Sequence, residues 1–81
     1  MGRFYFHIRH GDRLIPDEEG QELPDSSVAL REAMLAAREM LAEAIFAGKE
    51  RVPDALVIAD EVGRVVETVP FIAVLPKPFK P

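Results

Sequence analysis

The chain has 81 residues, 48% of them apolar and 30% charged, and no cysteine. This makes one small globular domain and excludes a disulfide framework, a thiolate nucleophile and a cysteine-ligated zinc site. The formal net charge of −4 argues against general binding of phosphate backbones, since that affinity grows with the number of phosphates neutralised.

The charge is unevenly placed. Arg3, Arg9 and Arg13 stand against Asp12 alone at the start, whereas Asp17, Glu18, Glu19, Glu22 and Asp25 follow with no base among them. The apolar runs 55–59 and 71–75 are five residues each, far short of the ~20 that a membrane span needs. Without an apolar leader ahead of the first strand, a cytoplasmic, soluble protein without membrane contact is expected.

In chain order, the first predicted element is a strand over 3–9. Phe4, Phe6 and Ile8 alternate with Arg3, Tyr5, His7 and Arg9, so one side is core and the other cationic and aromatic. His10-Gly11-Asp12 reads as a turn in which glycine takes a positive φ. A short return strand over 13–16 follows, then a loop over 17–20 and an extended piece over 21–23 that Pro24 closes.

A helix is predicted over 26–47. Asp25 or one of the serines after it caps the start, and Gly48 stands where helices commonly end. Leu30, Ala33, Met34, Ala37, Met40, Leu41, Ala44 and Ile45 recur at three- and four-residue spacing and form the core-facing stripe. Its alanines let a sheet approach closely, and Lys49 and Arg51 follow the helix at its electronegative end.

An aliphatic strand over 55–60 turns at Glu61-Val62-Gly63 into a partner over 65–69, and Pro70 ends regular pairing. Residues 71–75 are expected to continue as an edge segment, and 76–81 to form an extended tail. The order of elements gives an α+β fold, ββαββ. It closes most simply as a two-layer sandwich over 1–75, a four-stranded antiparallel sheet with one long helix on one face.

Several segments carry a resemblance: the opening strand through Asp12, the Ile15-Pro16-Asp17-Glu18-Glu19-Gly20 run, Glu22-Leu23-Pro24-Asp25 before an alanine-rich helix, and Asp60-Glu61-Val62-Gly63-Arg64 before Thr68-Val69-Pro70-Phe71. Together they resemble a family of short bacterial proteins catalogued as a domain of unknown function. The resemblance covers nearly the whole chain and implies a stand-alone cytoplasmic ββαββ domain with no established activity. Members similar to this one more often carry Asp than His at the position of His10.

Arg9-His10-Gly11-Asp12-Arg13 with Pro16 resembles the signature of histidine phosphatases, in which an imidazole beside fixed positive charge accepts a phosphoryl group. Those enzymes resemble large α/β domains with a distant second histidine. Here the other histidine is His7, on the preceding strand, so the motif is read as a turn and no catalytic residue is expected, with phosphatase-like phosphoryl transfer through Arg9 and His10 as the remote alternative. His7, His10 and Asp12 make a poor metal set, because positions seven and ten face opposite ways while the strand lasts. The acidic run 17–22 lacks the alternating ligand pattern of a calcium loop. No cofactor and no metal are expected.

Two surfaces remain as candidates. Arg3, Tyr5, His7 and Arg9 form a face on which a base could stack beside phosphate contacts, the alternative reading of nucleic-acid or nucleotide binding. On the helix, Val28, Leu35, Ala42 and Phe46 lie opposite the core stripe, with Arg31 and Arg38 on one flank and Glu32, Glu39 and Glu43 on the other. Such a seam suits a twofold helix pair in which each arginine flank meets a glutamate flank. The leading expectation is therefore a non-enzymatic interaction domain, contacting a protein partner or a second copy through Val28, Leu35 and Phe46. The competing reading folds Phe46 back over the helix end. The PxxP pattern of Pro78 to Pro81 reads as a solvated terminus, with docking of Phe79 on the sheet as the other outcome.

Overall fold

The computed structural model describes residues 2–80; Met1 and Pro81, which end the expected domain and tail, lie outside the described residues. Five strands and one long helix make an α+β fold with a single antiparallel sheet. Strand β1 (Gly2–His10) pairs with β4 (Ala55–Ala59) in the middle of the sheet, and β5 (Val65–Pro70) adds to the far side of β4.

The other side of β1 departs from the expected four strands. Strand β2 (Arg13–Ile15) pairs with the end of β1, and β3 (Gln21–Leu23) pairs with its start. The loop expected over 17–20 separates them and begins one residue earlier, at Pro16. Pro16 has no N–H to offer a ladder, and the Asp17 carboxylate takes the N–H of Phe6 at 3.1 Å where a strand carbonyl would stand. The extended piece over 21–23 is a strand in its own right.

Helix α1 (Ser26–Phe46) starts at Asp25, whose carboxylate accepts the Val28 N–H at 3.0 Å and the Ser27 hydroxyl at 2.7 Å. It ends at Gly48, whose φ of 69° lets the Lys49 N–H return to the Ala44 carbonyl at 2.9 Å, a left-handed termination that satisfies the last carbonyls. Ala29, Ala33, Ala37, Leu41 and Ala44 are buried on its inner side. Leu30, Met34 and Met40 pack at the edge of that core.

Ile45 corrects the predicted stripe, since it is 71% exposed. One residue past Ala44 is a rotation of about 100°, and the sheet meets only a stripe about as wide as its alanines. Beyond that stripe lies a groove of about 360 Å³, whose walls include Leu41, Ile45, Val74 and Leu75.

Every residue of β4 is buried. Leu56 and Ile58 join Phe4, Val69, Phe71 and the helix alanines in the core. Ala55, Val57 and Ala59 alternate onto the opposite side, where cross-strand neighbours such as His7 and Thr68 flank Val57. An uninterrupted apolar run is the sequence mark of a strand covered on both sides.

Pro70 is the last ladder residue, opposite Ala55. The chain then leaves the sheet as a 3-10 helix, Phe71–Val74, in place of the expected edge segment. Phe71 is 2% exposed, and its N–H reaches the Asp54 carbonyl at 2.9 Å. Burying that ring under α1 requires the chain to turn out of the sheet plane. The tail also differs from the extended expectation: the Phe79 N–H closes a turn onto the Pro76 carbonyl at 2.9 Å, and Phe79 is 69% exposed, away from any dock on the sheet. Among the described residues no helix is long and apolar enough to cross a membrane.

Candidate functional site

The outward side of β1 is engaged with the chain's own loop. Arg3 donates from Nη1 to the Glu19 carbonyl at 2.7 Å, and its Nε stands 3.7 Å from a Glu22 carboxylate oxygen. Tyr5 and His7 lie nearly parallel, with ring centroids 6.3 Å apart. His7 Nδ1 accepts the Asp17 N–H at 3.0 Å, which fixes the neutral ring's proton on Nε2.

Asp17 closes the knot. Its carboxylate accepts from Phe6, Glu19 and Gly20 backbone N–H groups at 3.1–3.2 Å. Partial burial pushes its pKa up, but the three backbone N–H groups outweigh that and hold it below the ordinary aspartate value. Gly20 has φ 69°, and a Cβ there would meet the Phe4 carbonyl oxygen and the Tyr5 ring at 2.9 Å. Of the four residues proposed as a ligand face, Arg3, Tyr5 and His7 are thus tied to the loop 16–20, and Arg9 is the exposed one. Arg9 lines a shallow hollow on the open side of the sheet with Leu14, Val57 and Val65.

His10 points the other way from His7, toward the end of α1. It lines a hollow with Ile15, Met40, Glu43, Lys49 and Arg51. The structure therefore does not bring His7 and His10 together, and among the described residues no three His, Asp or Glu side chains are gathered as a metal set. Gly11 takes φ 65°, as its turn requires, and its N–H is held by the Asp54 carboxylate.

The outer face of α1 carries two exposed large apolar side chains. Leu35 is 48% exposed and Phe46 95% exposed, so Phe46 does not fold back over the helix end; Val28 is half-buried. Arg31, Arg38, Glu32, Glu39 and Glu43 beside them are all exposed. The ion pairs formed within the described residues, Arg3 with Glu22 and Arg64 with Asp60, lie elsewhere.

Sequence reasoning missed three aspartates that organise the turns. Asp17 caps the strand break, Asp54 holds the first turn to the start of β4, and Asp60 Oδ1 accepts from Val62 and Arg64 in the last turn at 3.1 and 2.9 Å. For Asp60 a signal was present, an aspartate two residues before the turn's second N–H, as in an Asx turn. Asp17 carries the same local mark, since it also accepts from Glu19 two residues on; its bond from Phe6 and the hold of Asp54 on Gly11 act across the chain and leave none.

The structure defines a small single-helix α+β domain in which the side-chain hydrogen bonds of the described residues lie mainly at its turns and helix cap. The chain belongs to the family described as a domain of unknown function (DUF6894), whose model matches residues 3–72. No curated protein matches the chain. No solved structure matches it either.

Proposed function

We propose that the chain is a non-enzymatic interaction domain that associates through the outer face of α1, with a second copy of itself as the leading partner. The observation that carries this reading is Phe46, 95% exposed at the end of a seam with Leu35 on a helix whose inner side is filled by its alanines and Leu41. Exposed large apolar side chains in a row, rimmed by charge, mark contact surfaces more often than isolated ones do.

Sedimentation or light scattering tests it. The unmodified chain is expected to gain mass with concentration, and a variant carrying Leu35→Glu and Phe46→Glu to stay monomeric. An unmodified chain that is monomeric up to about 1 mM, weaker than any specific association worth the name, defeats the reading.

The alternative is nucleic-acid or nucleotide binding at the outward side of β1. It draws on the exposed Arg9 and on the parallel Tyr5 and His7 rings. Short single-stranded oligonucleotides titrated at two salt concentrations decide it. Affinity that does not fall in a Tyr5→Ala, Arg9→Ala variant removes that face as the binding surface.

A further inference from the structure

We propose that two copies of this chain pair through α1 in parallel, with the twofold axis running along the helices. This rests on the self-association reading above and adds its geometry, which the charges of the helix select.

Val28, Leu35 and Ala42 are seven residues apart, and Phe46 follows one turn later. Seven residues fall only about 20° short of two full turns, so these side chains run along the helix as a nearly straight seam about 27 Å long. The buried stripe of Ala29, Ala33, Ala37, Leu41 and Ala44 lies on the opposite side. Arg31 and Arg38, again seven apart, form one bank of the seam. Glu32 and Glu39, with Glu43, form the other.

A second observation about these charges is independent of the seam. None of the five has an opposite charge three or four residues away on the helix, where surface helices commonly pair theirs. Glu39 and Glu43 are four apart and repel each other. No ion pair of the described residues includes any of them. The banks are therefore sorted by sign along the seam, and no ion pair among the described residues neutralises them.

Symmetry then decides the orientation. A twofold rotation about an axis perpendicular to the helices gives an antiparallel pair and keeps each bank on its own side, so arginines would face arginines and glutamates would face glutamates. Rotation about an axis along the helices gives a parallel pair and sets each arginine bank against the glutamate bank of the other copy. Arg31 then stands level with Glu32 of the second copy, and Arg38 with its Glu39, offset by one residue or about 1.5 Å along the axis. Leu35 packs on Leu35 and Phe46 on Phe46, and the small Ala42 lets the helices approach closely.

The absence of native cysteine allows a clean test in the full chain. Val28→Cys and Ala42→Cys are prepared as separate variants and oxidised near the concentration at which the unmodified chain dimerises. Val62→Cys, on a distant turn and 77% exposed in the parent, controls for random collision. In the parallel pair each seam position faces its own copy, so both seam variants are expected to form covalent dimers on their own and the control is not.

An antiparallel pair allows at most one of the two seam variants to link to itself. That outcome overturns the proposal. Salt provides a second readout: facing opposite charges predict that raising it from about 20 to about 500 mM weakens the apparent Kd roughly five- to tenfold, while tightening with salt overturns the parallel geometry. The two readings fail separately. A dimer with the wrong cross-links overturns the parallel pairing and leaves self-association standing, whereas a monomer at every concentration overturns both.

Discussion

The outward side of β1 and the outer side of α1 both hold charged and aromatic residues at regular spacing, and both read in the sequence as surfaces awaiting a ligand. On β1, Arg3, Tyr5 and His7 are met by the loop 16–20, which supplies a carbonyl from Glu19, a close-packed Gly20 and the Asp17 N–H. On α1, Leu35 and Phe46 are exposed and the charges that flank them form no ion pair among the described residues, with Arg38 bordering the groove of Val74 and Leu75 and Glu43 the hollow of Lys49 and Arg51. Periodicity shows that a row of side chains leaves the core, but whether the row is engaged depends on segments that are remote along the chain. The strand face is therefore mostly engaged within the chain, and the helix face is the one on which our proposed association rests.

The largest effect is expected from breaking the strand face at Gly20. Gly20→Ala combines a left-handed backbone with a Cβ at 2.9 Å from the Phe4 carbonyl oxygen, and it should cost about 2–3 kcal/mol of folding stability. Chemical denaturation measures it. A loss below about 0.5 kcal/mol, the ordinary size of a surface substitution, would mean that the loop does not clasp β1.

Asp17→Asn comes next. It leaves the backbone N–H groups of Phe6, Glu19 and Gly20 with a neutral acceptor in place of a carboxylate, an expected cost of about 1–2 kcal/mol at neutral pH. Its pH dependence carries a definite sign. The folded-state pKa of Asp17 lies below the ordinary value, so its contribution is complete above the ordinary aspartate range and is lost as pH falls through that range to the folded value. Asp25, held down first by the Ser27 hydroxyl and then by the Val28 N–H, adds in the same direction. Acid titration of stability should therefore be shallower in Asp17→Asn than in the parent, with a residual slope partly due to Asp25. Identical slopes would show that Asp17 is not the group that the loop neutralises.

The same contrast explains what could be read from the sequence. The alternation of β1, the cap at Asp25, the helix termination at Gly48 and the turn glycines Gly11 and Gly63 depend on neighbours within a few residues, and they are where expected. The loop over 17–20 was legible, but the pairing of the extended piece over 21–23 with the start of β1 was not, because it depends on contacts remote along the chain, as does the reach of Asp17 to Phe6 and His7. The turn of Phe71 out of the sheet depends on the space under α1 and on the Asp54 carbonyl. Ile45 was misplaced because three- and four-residue spacing fixes the centre of a helical stripe better than its width. The placement of Val28, Leu35 and Phe46 along one side of α1 follows for the same local reason as the cap, since it needs only the helix itself.

The smallest effect on folding is expected where the largest effect on association lies. Leu35 and Phe46 contribute little to the monomer, since one is about half exposed and the other almost fully so. Their joint change to Glu should leave the melting temperature of a dilute sample within about 3 °C of the parent. Mass action separates the two chains as concentration rises: an associating parent melts higher at higher concentration, and a variant that cannot associate does not. If instead the variant melts far lower even when dilute, Leu35 and Phe46 belong to the fold itself, and the helix face would be as fully engaged as the strand face it contrasts with.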